Sequence, residues 1–471
     1  MSDVIVAVAT PPGRGGIGIV RVSGPDVSTL VRGILGQDLC DIEPRRAVHA
    51  RFIDADGSTL DDGIALFYAA PHSYTGENVL ELQGHGGPAV LAGVISRCIA
   101  LGARLAEPGE FTKRAFLNDR LDLAQAEAVA DLIEADTRAT AKAALRSLAG
   151  DFSRDVTALV DATIRLRMLV EASIDFPDED IEFVQAADAR GQLERIASRL
   201  DTILSRARQG QLLRDGLRVV LIGRPNVGKS SLLNRLARED IAIVTPIPGT
   251  TRDTVRQRIE IGGLAVHLVD TAGVRDLETA DDVEKLGIAR TWTAAADADC
   301  ALIVVDASVG KTAEDLAIEA GLSASVKRVV VHNKIDLVVR GEGRDLTGRR
   351  EQRDGREGHE RREAHPGRAH VFVSARTGEG IDALERAVLD AIGWIDTLPD
   401  QFLARERHIV ALRTARQRVD AASVLVGSVT PPLELVAEEL RLAQEALSAI
   451  TGAFTADDLL GEIFSRFCIG K

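Results

Sequence analysis

The sequence predicts a chain of α/β and α class in three parts: a mixed α/β N-terminal domain, a helical domain discontinuous in sequence, and an inserted P-loop domain with a doubly wound sheet. Three observations predict this. Strand-like apolar runs separated by Gly- and Pro-rich turns fill the first part of the chain. Apolar residues at helical spacing occupy both flanks of a central module. Within that module, Gly223-Arg224-Pro225-Asn226-Val227-Gly228-Lys229-Ser230-Ser231 follows the apolar run Val219–Ile222 and opens into Leu232-Leu233-Asn234-Arg235-Leu236, the strand–loop–helix context of a phosphate-binding loop.

In chain order, residues 1–118 contain the strand-like runs Ile17–Val22 and Gly63–Tyr68. Residues 119–215 read as helical, with Ala128, Val129, Leu132 and Ile133 on one face and Val156, Val160, Ile164 and Val170 on another, until Phe176-Pro177-Asp178-Glu179-Asp180 breaks the pattern. Residues 216–384 form the P-loop module. Inside it, 340–370 alternates arginines (Arg349, Arg350, Arg353, Arg356, Arg361, Arg362, Arg368) with Glu351, Asp354, Glu357, Glu360 and Glu363. A stretch with so few apolar residues cannot bury surface and is expected to be a solvated loop. Helix resumes over 385–471, where Leu433, Val436, Leu440, Ala443, Leu447 and Ile450 keep alternating three- and four-residue steps behind Pro431-Pro432. Helical flanks on both sides suggest one helical domain with the central module inserted.

Four elements of the central module point to its ligand. Gly223 and Gly228 let the backbone turn its N–H groups toward phosphate oxygens at a helix N-terminus, Lys229 would reach the β- and γ-phosphates, and the Ser230 hydroxyl suits Mg²⁺. Asp270-Thr271-Ala272-Gly273 follows the strand Leu264–Val269, so Asp270 would hold Mg²⁺ through water while Gly273 leaves room beside the γ-phosphate. Asn333-Lys334-Ile335-Asp336 follows Val329–His332. Its Asp336 can accept from the paired N1 and N2 donors of guanine, which adenine lacks. Ser374-Ala375-Arg376 follows Val371–Val373 as the remaining base-contacting loop. The order and spacing are those of a Ras-like GTPase, and the nucleotide is read as GTP.

With 471 residues the chain can bury several cores, and 45% hydrophobic residues with 3% aromatics place those cores on Leu, Val, Ile and Ala. Neither a signal peptide nor a membrane-spanning run is recognisable. Cys40, Cys98, Cys300 and Cys468 lack CxxC spacing, which fits a reducing cytoplasm without structural zinc. A net charge of −14 argues against broad non-specific nucleic-acid binding.

Three further stretches carry a family resemblance: Thr10-Pro11-Pro12-Gly13-Arg14-Gly15-Gly16-Ile17-Gly18 with Arg21 beyond; Pro108–Asn118 continuing into Leu121–Ala128; and the terminal Phe467-Cys468-Ile469-Gly470-Lys471. Over its whole length the chain resembles the tRNA modification GTPases of the MnmE (TrmE) family. The resemblance implies an N-terminal tetrahydrofolate-binding and dimerisation domain, a helical domain built from both flanks, and an inserted G domain. It also implies a homodimer that works in a heterotetramer with the flavin-dependent MnmG (GidA). Together they would install a carboxymethylaminomethyl-type group at C5 of the wobble uridine of certain tRNAs, with 5-formyl- or methylene-tetrahydrofolate as one-carbon donor.

The same resemblance assigns site residues. Val274 stands where a Ras-like enzyme would place a glutamine, and an aliphatic side chain cannot orient water. In the family, K⁺ takes the charge-neutralising task, with oxygens from Asn226 and from Thr245-Pro246-Ile247-Pro248-Gly249-Thr250, the Thr245 and Ile247 carbonyls among them. Thr251 would join Ser230 on Mg²⁺, and Glu284 matches the glutamate that orients water indirectly. For folate the match points to Arg21, Glu81, Arg120 (where the family pattern has lysine) and Lys471, charged groups that suit a pterin edge and a glutamate tail. Cys468 falls at the expected modification centre. Two other readings share parts of the pattern: a ribosome-assembly GTPase of the Era or EngA type, and a folate-binding sensor in which GTP reports state. Neither the KH-type domain nor the second G domain of the former is recognisable here.

Overall fold

The computed structural model describes residues 3–175, 188–239, 256–270, 295–338, 368–395, 401–452, 463–465, 467 and 470. The chain divides into two compact units. The first comprises Met1–Glu134, Ala144–Leu204 and Glu406–Lys471; the second comprises Ala135–Ala143 and Ser205–Arg405.

The first unit begins with a six-stranded sheet built from β1 (Ile5–Val8), β2 (Gly15–Gly24), β3 (Val48–Ile53), β4 (Thr59–Tyr68), β5 (Asn78–Gly86) and β6 (Arg104–Leu105), in the order β3-β4-β5-β2-β1-β6. Every pairing is antiparallel except β1 with β6. Period-two alternation sorts its side chains. Val20, Val22, Phe52, Phe67, Leu80 and Leu82 join a buried core with Leu30, Val31 and Ile34 of helix α1 (Ser28–Leu35) and with Val94 and Cys98 of α2 (Pro88–Ala100). Arg21 and Glu81 alternate onto the opposite face, directly paired across β2 and β5.

Helices α3 (Glu110–Leu117), α4 (Leu123–Ile133), α5 (Arg138–Leu148), α6 (Asp151–Asp175) and α7 (Ala189–Asp215) follow. After the second unit the chain adds α11 (Glu406–Val426) and α12 (Leu433–Thr451), and α12 packs on both α6 and α11. The α12 stripe is as expected from Val436 onward: Val436, Leu440, Ala443, Leu447 and Ile450 are buried, Leu433 in the first turn is only partly so, and Pro432 sits at the N-cap.

Two expected stripes differ. On α6 the buried face is Phe152, Val156, Leu159, Thr163, Leu166 and Val170, while Val160 and Ile164 are only partly buried. Strict four-residue steps drift around a 3.6-residue helix, whereas alternating four and three keep one face. Thr163 joins that face because its hydroxyl donates to the Leu159 carbonyl. On α4 the buried set includes Glu127 and Asp131, while Ile133 is exposed. Polarity misleads here because Glu127 is paired across the core. Its two oxygens accept from Arg407 Nε and Nη2, each at 2.8 Å, over 280 residues of chain. His408 Nε2 lies 2.9 Å from the same carboxylate. Arg407 also donates to the Ala449 and Ile450 carbonyls at the end of α12. Burial would raise the Glu127 carboxyl, but His408 and Arg407 outweigh it and hold it well below the usual carboxylate range.

The second unit is a sheet of β7 (Leu217–Ile222), β8 (Arg256–Ile261), β9 (Leu264–Asp270), β10 (Cys300–Asp306), β11 (Lys327–Asn333) and β12 (Arg368–Phe372), ordered β12-β11-β10-β7-β9-β8. All neighbours are parallel except the edge pair β8–β9. Strands buried on both faces read as continuous apolar runs, as Cys300–Val305 does. Its helices are α8 (Lys229–Glu239), α9 (Ala313–Ala320) and α10 (Ile381–Ala391). The sheet order, reversing beside β7, is that of a doubly wound fold. The charged stretch is shorter than expected at its C-terminal end, because β12 begins at Arg368; residues 340–367 lie outside the described residues.

Residues 135–143 belong with this sheet. Thr137 Oγ1 donates to the Gly263 carbonyl at 3.0 Å in the β8–β9 turn, and Arg258 pairs with Asp136 at 2.7 Å. The last turns of α7 also belong to it. There Gln209 donates to the Gly393 carbonyl and accepts from the Ile395 amide, and a Cβ at Gly210 would meet the Phe402 carbonyl oxygen at 2.0 Å.

Candidate nucleotide site and the open sheet face

The phosphate loop leaves β7 at Gly223, whose φ of +148 and close approach to the Val304 carbonyl admit no side chain. Asn226 is left-handed at φ +65, a conformation asparagine tolerates better than most residues. Gly228 is left-handed too, and a Cβ there would stand 2.3 Å from Asn333 Nδ2. Lys229, at the first position of α8, donates to the Gly223 carbonyl at 2.7 Å and to that of Arg224 at 2.9 Å. The lysine head thus rests on the rim of its own loop. Ser230 and Ser231 follow in the first turn of α8, and Val227 is buried beneath the loop.

Three segments far apart in sequence are tied together here. Asn333, almost fully buried, donates from Nδ2 to the Val227 carbonyl at 2.9 Å and accepts through Oδ1 from the Ala375 amide at 3.0 Å. Lys334 donates to the Asn226 carbonyl and to Asp306 Oδ2, both at 2.6 Å. Burial would raise the Asp306 carboxyl, but Lys334 and Ser308 hold it below its ordinary range. Asp336 accepts from Ser374 Oγ at 2.7 Å through Oδ1, and Arg376 Nη1 stands 4.0 Å from Oδ2. This leaves the outer carboxylate oxygen facing a cation, with capacity for further hydrogen bonds. Arg235 of α8 fastens the Ala375 and Arg376 carbonyls from behind.

The structure therefore brings Asn226, Val227, Gly228, Lys229, Asn333, Lys334, Asp336, Ser374, Ala375 and Arg376 to one end of the sheet, at the C-terminal edges of β7, β11 and β12. Asp270 is the last residue of β9. Thr245, Pro246, Ile247, Pro248, Gly249, Thr250, Thr251, Thr271, Ala272, Gly273 and Glu284 lie outside the described residues.

The open face of the first unit's sheet carries the second candidate site. Arg21 Nε donates to Glu81 Oε1 at 3.0 Å, and its guanidinium carbon lies 5.6 Å from the Tyr74 ring centre and 5.9 Å from that of Phe111. Tyr74 is fixed by Thr112, whose hydroxyl lies 2.8 Å from the phenol oxygen. The Pro108–Asn118 stretch thus builds a wall beside Arg21. Its Arg114, 2% exposed, pairs with the buried Glu110, the largely buried Glu77 and the more exposed Asp3, a network that the sequence reading did not single out. Arg120 is exposed and lies against Gly76, in the same loop as Tyr74. Lys471 and Cys468 lie outside the described residues, but Gly470 abuts β1: a Cβ there would lie 2.2 Å from the Val8 carbonyl oxygen. Ala7, the neighbour of Val8, is the residue paired with Arg21. Of the other cysteines, Cys98 and Cys300 are buried and their thiols are pushed up to about 12, so neither is a nucleophile at neutral pH.

A phosphate loop on a doubly wound sheet, with an asparagine that fastens it to the loops after β11 and β12, defines a Ras-like P-loop GTPase. The family model described as MnmE helical domain matches residues 123–468, and that described as GTP-binding protein TrmE N-terminus matches residues 4–120. The tRNA modification GTPase MnmE of Ralstonia nicotianae is 56% identical over 479 residues, covering 99% of this chain and 96% of its own length. That of Thiobacillus denitrificans is 55% identical over 469 residues, covering 100% and 98%. The chain belongs to the MnmE family of tRNA modification GTPases. Among the described residues no helix is long and apolar enough to cross a membrane.

Proposed function

We propose that this GTPase is a subunit of the complex that adds a carboxymethylaminomethyl-type group to C5 of the wobble uridine of certain tRNAs. In this reading it acts in the cytoplasm as a homodimer with MnmG, and a tetrahydrofolate derivative supplies the one-carbon unit. The observation that carries the reading is the coexistence, in one chain of this family, of a guanine-nucleotide site and an Arg21–Glu81 pair on an open sheet face. Guanidinium and carboxylate groups beside the partly exposed Tyr74 ring suit the polar edge and the flat face of a pterin. Arg120 would meet the ligand's glutamate tail, and Lys471 and Cys468 would close the site from the C-terminus.

Hydroxyl oxygens at Ser230 and Thr251 suit Mg²⁺, a hard cation. The Asn226 amide, with oxygens of Thr245, Ile247 and Thr250, suits K⁺. Those ions would neutralise phosphate charge, while Glu284 would orient water. Mass spectrometry of wobble uridines from cells lacking the chain is the decisive test. Loss of the C5 group, restored by the parent gene and not by Lys229→Ala, is the expected result. Normal nucleosides with abnormal ribosome assembly would instead favour the Era-type reading. GTP turnover should also rise sharply in K⁺ over Na⁺, and equal rates would remove K⁺ from the site.

A further inference from the structure

The phosphate loop has a second brace, separate from the base-reading loops. Arg224, the loop's second residue, sends its Nε to Asp315 Oδ1 at 3.0 Å. Asp315 is fully buried and lies in the first turn of α9. Its other oxygen accepts from the Thr312 amide at 2.9 Å and the Thr312 hydroxyl at 2.8 Å, completing a capping box. One carboxylate therefore serves two elements, a helix N-terminus and the phosphate loop. The carbonyl of the same Arg224 accepts from Lys229, so the anchored residue also carries a contact of the phosphate-binding lysine.

A helix cap does not require an arginine, and a surface arginine does not require a fully buried carboxylate. Capping alone is satisfied by Ser, Thr, Asn or Asp at the N-cap, which Thr312 supplies. Burying a carboxylate is costly unless it is paired and hydrogen-bonded. Here the pairing partner is the loop residue Arg224. We propose that Asp315 is a positioning residue for the phosphate loop: through Arg224 it fixes the curled backbone before nucleotide arrives. Asp315 touches no substrate atom. A pre-formed loop avoids the entropy of ordering on binding, and this benefit is equal for GTP, GDP and the transition state.

The inference rests on the GTPase reading and makes a specific kinetic demand. Loss of uniform binding raises KM and leaves kcat. Steady-state GTP hydrolysis and fluorescent-GDP affinity would be measured for the full chain and four variants. Asp315→Asn and Arg224→Met should each raise KM for GTP and Kd for GDP about tenfold, with kcat within about threefold. Arg224→Lys should recover part of the loss, because it keeps the charge without the planar fork. Thr312→Ala, which removes the cap and one hydrogen bond to Asp315 Oδ2 but leaves the Arg224 pair on Oδ1, should lower Tm while KM stays within about twofold. An unchanged KM in Arg224→Met overturns the proposal. So does a Thr312→Ala variant whose KM rises as far as that of Asp315→Asn, since Asp315 would then act only as a cap. If Asp315→Asn does not fold, the two Arg224 variants decide alone. A parent chain without GTP turnover overturns the nucleotide reading itself.

Discussion

The nucleotide site and the open face of the N-terminal sheet hold their polar groups in opposite ways. At the first, loop backbone is shaped by tight turns and fastened from outside by Asn333, Lys334 and Asp315. At the second, side chains stand on paired strands, and Arg21 is held by Glu81 directly across from it. A loop of amides has little tolerance for a changed shape, because every donor depends on the same turn. A sheet face loses one contact at a time. The contrast teaches that damage to the loop site should be all-or-none, whereas damage to the sheet face should be graded.

The largest expected effect tests the all-or-none side. Lys229→Ala removes the ammonium that our reading assigns to the β- and γ-phosphates, and GTP turnover should fall by at least about a thousandfold. Normal turnover would mean the phosphates bind elsewhere.

Next comes a site that belongs to neither ligand and serves as the calibration for a buried ion pair. Glu127→Gln should cost about 3 kcal/mol in denaturant unfolding, because Arg407 keeps its charge and loses its partner. The Glu127 carboxyl is held below its ordinary value, so this stabilisation is present above about pH 4.5 and fades as pH falls toward the folded-state value. The gap between parent and variant should accordingly narrow in acid. A gap independent of pH would assign the loss to packing.

Asp336→Asn should reduce the preference for GTP over xanthosine triphosphate by about a hundredfold, since the amide can donate where the carboxylate only accepts. Retained preference in competition binding would move base recognition to another residue. The smallest effect is on the sheet face: Arg21→Gln should weaken binding of 5-formyl-tetrahydrofolate about tenfold, with GTP turnover unchanged. A complete loss would make the face as brittle as the loop and erase the contrast.

The same contrast explains what could be read from the sequence. The phosphate loop, Asn333–Asp336 and Ser374–Arg376 are short contiguous strings that follow apolar strands, so both the fold and the ligand class were legible there. Nothing local marks Arg21 and Glu81 as neighbours; strand pairing alone makes them so, and only family resemblance pointed to them. The apolar pattern failed on α4 for a related reason. Glu127 and Asp131 look like a solvent face until the partner Arg407, from a different helix, is in place. Asp315 was equally hidden, because a carboxylate in a first helical turn ordinarily signals a cap.

The distance of Arg407 from Glu127 also bears on how the chain is made. Synthesis delivers residues 1–204 first, yet Glu127 waits 280 residues for its counter-charge, and α6 waits as long for α12. The sheet of the second unit is complete once residue 405 has emerged. A growing chain therefore holds a finished nucleotide-binding unit while its helical bundle is still open, with an acidic side chain at the unfilled seam. Chains arrested just short of residue 406 should resist protease within strands β7, β10 and β11 and be cut within α4 and α6. In this molecule the inserted part has a head start over the bundle that it interrupts.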